Sequence, residues 1–192
     1  MNRISKPPEI RKKEILNVAK VMFLEKGYEG TSIGDIANSI GVAQGLCYRY
    51  FKSKQELFDN AMDNYANECS EEFIDTISNK DITIYEKIDR LRKIMIRLDD
   101  PEGVDLYYHR KGNELLHEQI ELKIIDSIYD AVKELLIELE ENDFIEKIDN
   151  VDSMVGFIIY GVFGILKCDM DIKKKILYIE KYLSKMLNVK IG

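Results

Sequence analysis

Proline, cysteine and histidine are scarce in this 192-residue chain, and each scarcity excludes something. Three prolines, two of them adjacent at Pro7 and Pro8, are too few to punctuate a series of strands, so helices are expected throughout. Cys47, Cys69 and Cys168 make an odd count with no C-x-x-C, which argues against a disulfide framework or a zinc cluster and for a reducing cytoplasm. The two histidines, His109 and His117, offer little for acid–base or metal chemistry. Glu114 and His117 form a single E-x-x-H, where a di-iron bundle uses two. No H-E-x-x-H, P-loop or G-x-G-x-x-G is present, so neither an enzyme nor a cofactor or metal site is expected. Long apolar runs are lacking too. The stretch Val155 to Leu166 is shorter than the ~20 residues that span a bilayer, and the first residues contain no apolar core of a secretory signal. A cytoplasmic chain without a membrane partner is expected.

What the chain does contain is ample material for a core. Hydrophobic residues make up 45% and charged residues 33%, a globular balance at a length that needs no covalent staple. The net charge of −7 argues against a nucleic-acid partner, but it hides an asymmetry. Residues 1–54 carry Arg3, Lys6, Arg11, Lys12, Lys13, Lys20, Lys26, Arg49, Lys52 and Lys54 against Glu9, Glu14, Glu25, Glu29 and Asp35, a net +5 that leaves −12 for the remainder. A basic head on an acidic body suits a DNA-binding domain joined to an effector domain, since phosphates repel the acidic part.

Helical periodicity runs from end to end. Pro7-Pro8-Glu9 reads as a helix start, Ile15, Leu16, Ala19, Met22 and Phe23 share one face, and Gly27 stops the helix. Thr31 and Ser32 offer N-cap hydroxyls, and Ser32 with Asp35 has capping-box spacing. Ile33, Ile36, Ala37 and Ile40 mark a short helix ended by Gly41; Val42 starts a tight turn, and a second short helix runs from Gln44 to Tyr50 with Cys47, Tyr50 and Phe51 as its apolar positions. A longer helix follows Lys52-Ser53-Lys54. Further stripes predict helices over about 84–98, 114–141, 153–167 and 172–187, with Asp152 as the expected cap of the third. That third helix is apolar on nearly every side, the pattern of a helix buried all round, and it holds Gly156, Gly161 and Gly164.

The segment from Thr31 to Lys54 carries the functional signal. A short polar helix after a tight turn can lie in the major groove with its N-terminal side chains against base edges. Gln44 can pair bidentately with adenine, and Arg49 with guanine or a phosphate. Tyr48 and Tyr50 offer hydroxyls to phosphates and rings to thymine methyls, Ser32 sits at a helix N-terminus suited to a phosphate, and Lys52 and Lys54 add charge.

The run AKVMFLEKGYEGTSIGDIANSIGVAQGLCYRYFKSKQELFDNAM resembles the DNA-binding domain of the TetR/AcrR family over residues 9–63. The landmarks are Phe23, Gly27-Tyr28, Thr31-Ser32, Ile36-Ala37, Gly41-Val42, Gly45, Tyr48, Tyr50-Phe51, Lys54 and Leu57, in register without a gap. Cys47 and Leu46 depart from the family pattern, which usually has a larger aliphatic residue at the first and a small one at the second. Gly34 offers no side chain where some members read a base. The resemblance implies an all-α protein of about nine helices, with a three-helix helix-turn-helix head at 1–54 and a helical-bundle body for ligand binding and dimerisation at 55–192. It implies DNA-contacting residues Ser32, Gln44, Gly45, Tyr48, Arg49, Tyr50, Lys52 and Lys54. It also implies a homodimer through the last two helices, with Gly156, Gly161, Gly164, Ile176 and Leu183 as interface candidates. Two recognition helices would then lie ~34–36 Å apart on an inverted-repeat operator of double-stranded DNA.

The family's members release DNA when a small-molecule effector enters the body. Met95, Tyr107, Tyr108, His109, His117, Tyr129, Phe157 and Tyr160 mix apolar surface with polar tips, as pocket walls do, although for any one of them core packing is the favoured reading. The function expected is a sequence-specific DNA-binding regulator, a repressor by family default. The other reading is a regulator or architectural DNA-binder whose body recruits a protein and takes no small effector.

Overall fold

The computed structural model describes residues 6–98 and 114–189, and every regular element among them is helical. The eight helices are α1 (Pro8–Lys26), α2 (Ile33–Ser39), α3 (Gln44–Tyr50), α4 (Lys54–Ser78), α5 (Ile84–Leu98), α6 (Glu114–Glu141), α7 (Val151–Leu166) and α8 (Ile172–Met186). The all-α expectation holds, with eight helices among the described residues against about nine expected. The described residues fall into two compact units, 6–68 with 114–123 and 69–98 with 124–189, so the division passes through α4 and α6.

The first unit is built on local punctuation. Pro8 opens α1, where its missing N–H costs nothing and its fixed φ already suits a helix. Gly27 closes α1 at φ 74°, and its N–H returns to the Phe23 carbonyl. Ser32 caps α2 in a full capping box: its Oγ accepts from the Asp35 N–H, and its own N–H donates to the Asp35 carboxylate. Thr31, also expected to cap, does something else. It is buried, and its hydroxyl donates to the Met22 and Gly27 carbonyls, tying the end of α1 to the start of α2. Gly41 turns the chain from α2 to α3 at φ 67°, a left-handed conformation that any Cβ would oppose. The core beneath joins Ile15, Ala19 and Phe23 of α1 to Ile36, Cys47, Phe51, Leu57 and Met62.

The second unit packs Ile77, Ile125, Ile128, Val132, Leu136, Leu139, Val155 and Ile159 into one cluster. Two expectations fail here. The cap of α7 is Asn150, whose side chain accepts from the Ser153 N–H; Asp152 instead accepts the Lys133 ammonium at 2.6 Å and lies near the Tyr129 hydroxyl. Nor is α7 buried all round. Val155 and Ile159 are enclosed, but Phe157 is 70% and Tyr160 60% exposed, because the single chain covers one face of the helix and leaves the other open. Among the described residues no helix is long and apolar enough to cross a membrane.

Candidate nucleic-acid interface

The short helix α3 divides its side chains cleanly. Cys47 is fully enclosed and Phe51, just past its end, nearly so. These two anchor the helix to the core. Gln44, Tyr48 and Arg49 project to solvent, Gly45 leaves its backbone open with nothing within 4 Å of an added Cβ, and Tyr50 is half-buried. Burial pushes the Cys47 thiol above the ordinary cysteine range, so it behaves as a small apolar anchor. The larger aliphatic residue usual in the family would need more volume than this fully enclosed site now holds.

The neighbouring elements bring polar groups to the same surface. An added Cβ on Gly34 would lie 3.9 Å from Gln44 Oε1 and 3.5 Å from Ser32 Oγ, so the Gln44 amide lies over the first turn of α2. Ser32 is more committed than its spacing suggested. Its hydroxyl donates to the Asp35 carboxylate at 2.6 Å, and the same oxygen accepts the Asp35 N–H at 3.1 Å. Those bonds to Ser32 hold Asp35 below the usual carboxylate range. An incoming phosphate would meet a Ser32 hydroxyl whose hydrogen is already engaged by the Asp35 carboxylate.

At the start of α4, Ser53 Oγ accepts from the Glu56 N–H at 3.0 Å while the Glu56 carboxylate accepts from the Lys52 N–H at 2.6 Å. Sequence reading passed over this cap, although Ser53 and Glu56 stand at capping-box spacing. The bonded carboxylate fixes the backbone on which Lys52 and Lys54 are mounted. The Lys52 side chain is exposed, and the Lys54 ammonium rests 4.1 Å from the centre of the Tyr28 ring. Tyr28, one of the family landmarks, lies in the connector between α1 and α2. Before the first helix, Lys6 pairs with Glu14 of α1 at 2.7 Å.

The remaining candidates are scattered. Tyr107, Tyr108 and His109 lie outside the described residues. His117 is half-buried in the first unit, whereas Met95, Tyr129, Phe157 and Tyr160 belong to the second. Within that unit an open depression of about 420 Å³ is walled by residues 146–150, Ser153, Met154, Phe157 and residues 186–188; Phe157 alone among the named candidates takes part in it. Gly156, Gly161 and Gly164 all face open space, with nothing within 4 Å of an added Cβ. Ile176 is buried within its own chain and Leu183 is half-buried, so the exposed apolar surface of α7 and α8 comes from Phe157, Tyr160, Leu177, Tyr178 and Tyr182.

Comparison with known proteins places this architecture. Residues 15–61 match the family model of bacterial regulatory proteins of the tetR family. Over 58 residues the chain is 34% identical to the HTH-type transcriptional repressor KstR2 of Mycolicibacterium smegmatis, a match spanning 30% of this chain and 28% of that protein. A match to IcaR of Staphylococcus epidermidis, a negative transcriptional regulator of the biofilm operon icaADBC, is 26% identical and covers 71% of this chain and 77% of that one. The chain thus matches less than a third of the KstR2 repressor's length and more than two thirds of IcaR's. The fold matches that of SmeT, the repressor of the Stenotrophomonas maltophilia multidrug efflux pump SmeDEF, with TM-score 0.66 and 19% identity over 94% of this chain and 91% of that one. Residues 15–61 thus form a domain of the tetR family of bacterial regulatory proteins.

Proposed function

We propose that the chain is a homodimeric, sequence-specific DNA-binding regulator that represses transcription from an inverted-repeat operator and leaves it when a small molecule binds the body. The observation that carries this reading is the division of α3, with Cys47 and Phe51 anchored inward and Gln44, Tyr48 and Arg49 held outward on a rigid support. A helix so mounted enters the major groove as a unit. Gln44 reads a base, Arg49 a guanine or phosphate, and Tyr48, Tyr50, Lys52 and Lys54 grip the backbone, with Gly45 admitting close approach. Ser32 contributes through the backbone turn it caps. The head is residues 1–54 and the body 55–192. The names of the relatives support repression: KstR2, IcaR and SmeT are all described as repressors or negative regulators.

The dimer reading rests on the open apolar face of α7 and α8. Effector binding within the body rests on family likeness and on the aromatic residues of the second unit.

The experiment is a gel-shift titration against DNA from upstream of the chain's own gene, at two salt concentrations, with a random duplex as control. Upstream-specific binding that weakens steeply with salt is expected, since neutralised phosphates release counterions. Equal weak binding to both duplexes, together with no sequence enriched from a random pool, would sink the DNA-binding reading.

A further inference from the structure

The Tyr28 ring under Lys54 is itself fixed. It meets Phe58 edge-on at 5.0 Å and stacks on Phe23 at 6.1 Å, and both of those rings are buried. Lys54 is the first residue of the 25-residue helix α4, whose N-terminal end carries the positive pole of its macrodipole. A cation is disfavoured there, and an unconstrained lysine would swing away into solvent. The negative face of an aromatic ring supplies an opposing attraction.

We propose that Tyr28 is a positioning residue for DNA binding, its ring holding the Lys54 ammonium at the start of α4 so that cation and helix pole address the same phosphate. The inference rests on the DNA-binding reading above. Tyr28 sits in the connector between α1 and α2, so it acts through Lys54 and adds no charge of its own. The ring restricts a flexible four-carbon stem before the phosphate arrives, which lowers the ordering cost paid on binding.

The probe is a duplex enriched from a random-sequence pool by the wild-type protein. If the wild type enriches nothing, the DNA-binding reading itself fails. With that duplex in hand, Tyr28→Phe keeps the ring and binds within about twofold of wild type. Tyr28→trifluorophenylalanine keeps the shape and loses the negative face; binding weakens about three- to tenfold, with an unchanged melting temperature. The same ring change made on a Lys54→Gln background has no effect. Tight binding by the fluorinated variant overturns the proposal. So does a loss that persists undiminished when Lys54 is already neutral, since the ring would then act through something else.

Discussion

Gly34 and Gln44 form a pair that tests the proposed base reading. Gly34 is the second residue of α2, where a methyl group would make ordinary contacts at 3.5–4.0 Å with Ser32 Oγ and the Gln44 amide. Gly34→Ala therefore meets no steric obstacle and removes backbone freedom from the unfolded chain. It is expected to raise stability by ~0.5–1 kcal/mol in urea unfolding and to leave operator preference unchanged. Gly34→Leu cannot share that space with the Gln44 side chain and must displace it. Its preference across a set of singly mutated operators should then coincide with that of Gln44→Ala, which loses ~1–3 kcal/mol of discrimination at one base pair and little elsewhere. If Gly34→Leu discriminates as wild type does, the Gln44 side chain is not held by α2. The exposed place of Gln44 at the start of α3 was legible from sequence, because a polar residue opens a short helix after a Gly-Val turn. Its lean across α2 was not, because that depends on the missing side chain of Gly34, ten positions back in the chain and on another helix.

Two elements show what capping and tertiary contact each contribute. The capping box of α2 depends on an ionised Asp35, whose carboxyl is held low by the Ser32 hydroxyl and N–H. A group with a depressed folded pKa stabilises fully above its unfolded value and loses that contribution as pH falls through the folded value. Comparison of wild type with Asp35→Asn by urea unfolding should thus give a constant difference above about pH 5 that shrinks as pH falls below about 4. A difference that is flat across this window would place the stabilisation elsewhere. Lys87 of α5 is the opposite case, a charge taken inside. It is buried, and its ammonium donates to the Ile77 carbonyl at 2.8 Å, in the last turn of α4, and approaches the half-exposed Glu138 carboxylate at 3.3 Å. A cation at a helix C-terminus is favoured by the macrodipole, and its removal leaves a buried carbonyl unsatisfied. Lys87→Met, which retains most of the volume, is expected to cost ~1–3 kcal/mol of stability at fixed protein concentration. An unchanged unfolding midpoint would mean that water replaces the ammonium. The bounds of α3 and α6 were readable because Gly41-Val42 and Asn142-Asp143 punctuate the chain locally. The cap of α7 and the burial of Lys87 were not. Asn150 and Asp152 are equally good caps in isolation, and Lys133 decides between them from another helix. A lysine next to an apolar stripe gives no sign that a carbonyl waits for it.

At the scale of the whole molecule the unanswered surface is the outer side of α7 and α8. Phe157 and Tyr160 stand open on α7, and Leu177, Tyr178 and Tyr182 on α8, the two tyrosines of α8 stacked at 6.0 Å. An exposed apolar collection of this size on neighbouring helices marks an interaction site more often than a bare surface. Three glycines of α7 face the same open space with room for a close neighbour. In the dimer proposed above, a second copy of the same two helices would cover this surface, since a twofold interface sets a patch against itself. Phe157→Glu tests this without disturbing the chain's own core, which Val155 and Ile159 supply from the opposite face. Because the twofold repeats the substitution, two carboxylates enter one apolar interface and neither finds a partner. The variant is expected to keep its helical circular dichroism and to sediment at half the wild-type mass. Its affinity for the full operator should fall by about a hundredfold or more, since two heads no longer share one linkage, while affinity for an isolated half-site changes little. A variant that stays dimeric moves the interface off α7. A monomer that binds the full operator as tightly as wild type would show instead that the heads engage DNA independently.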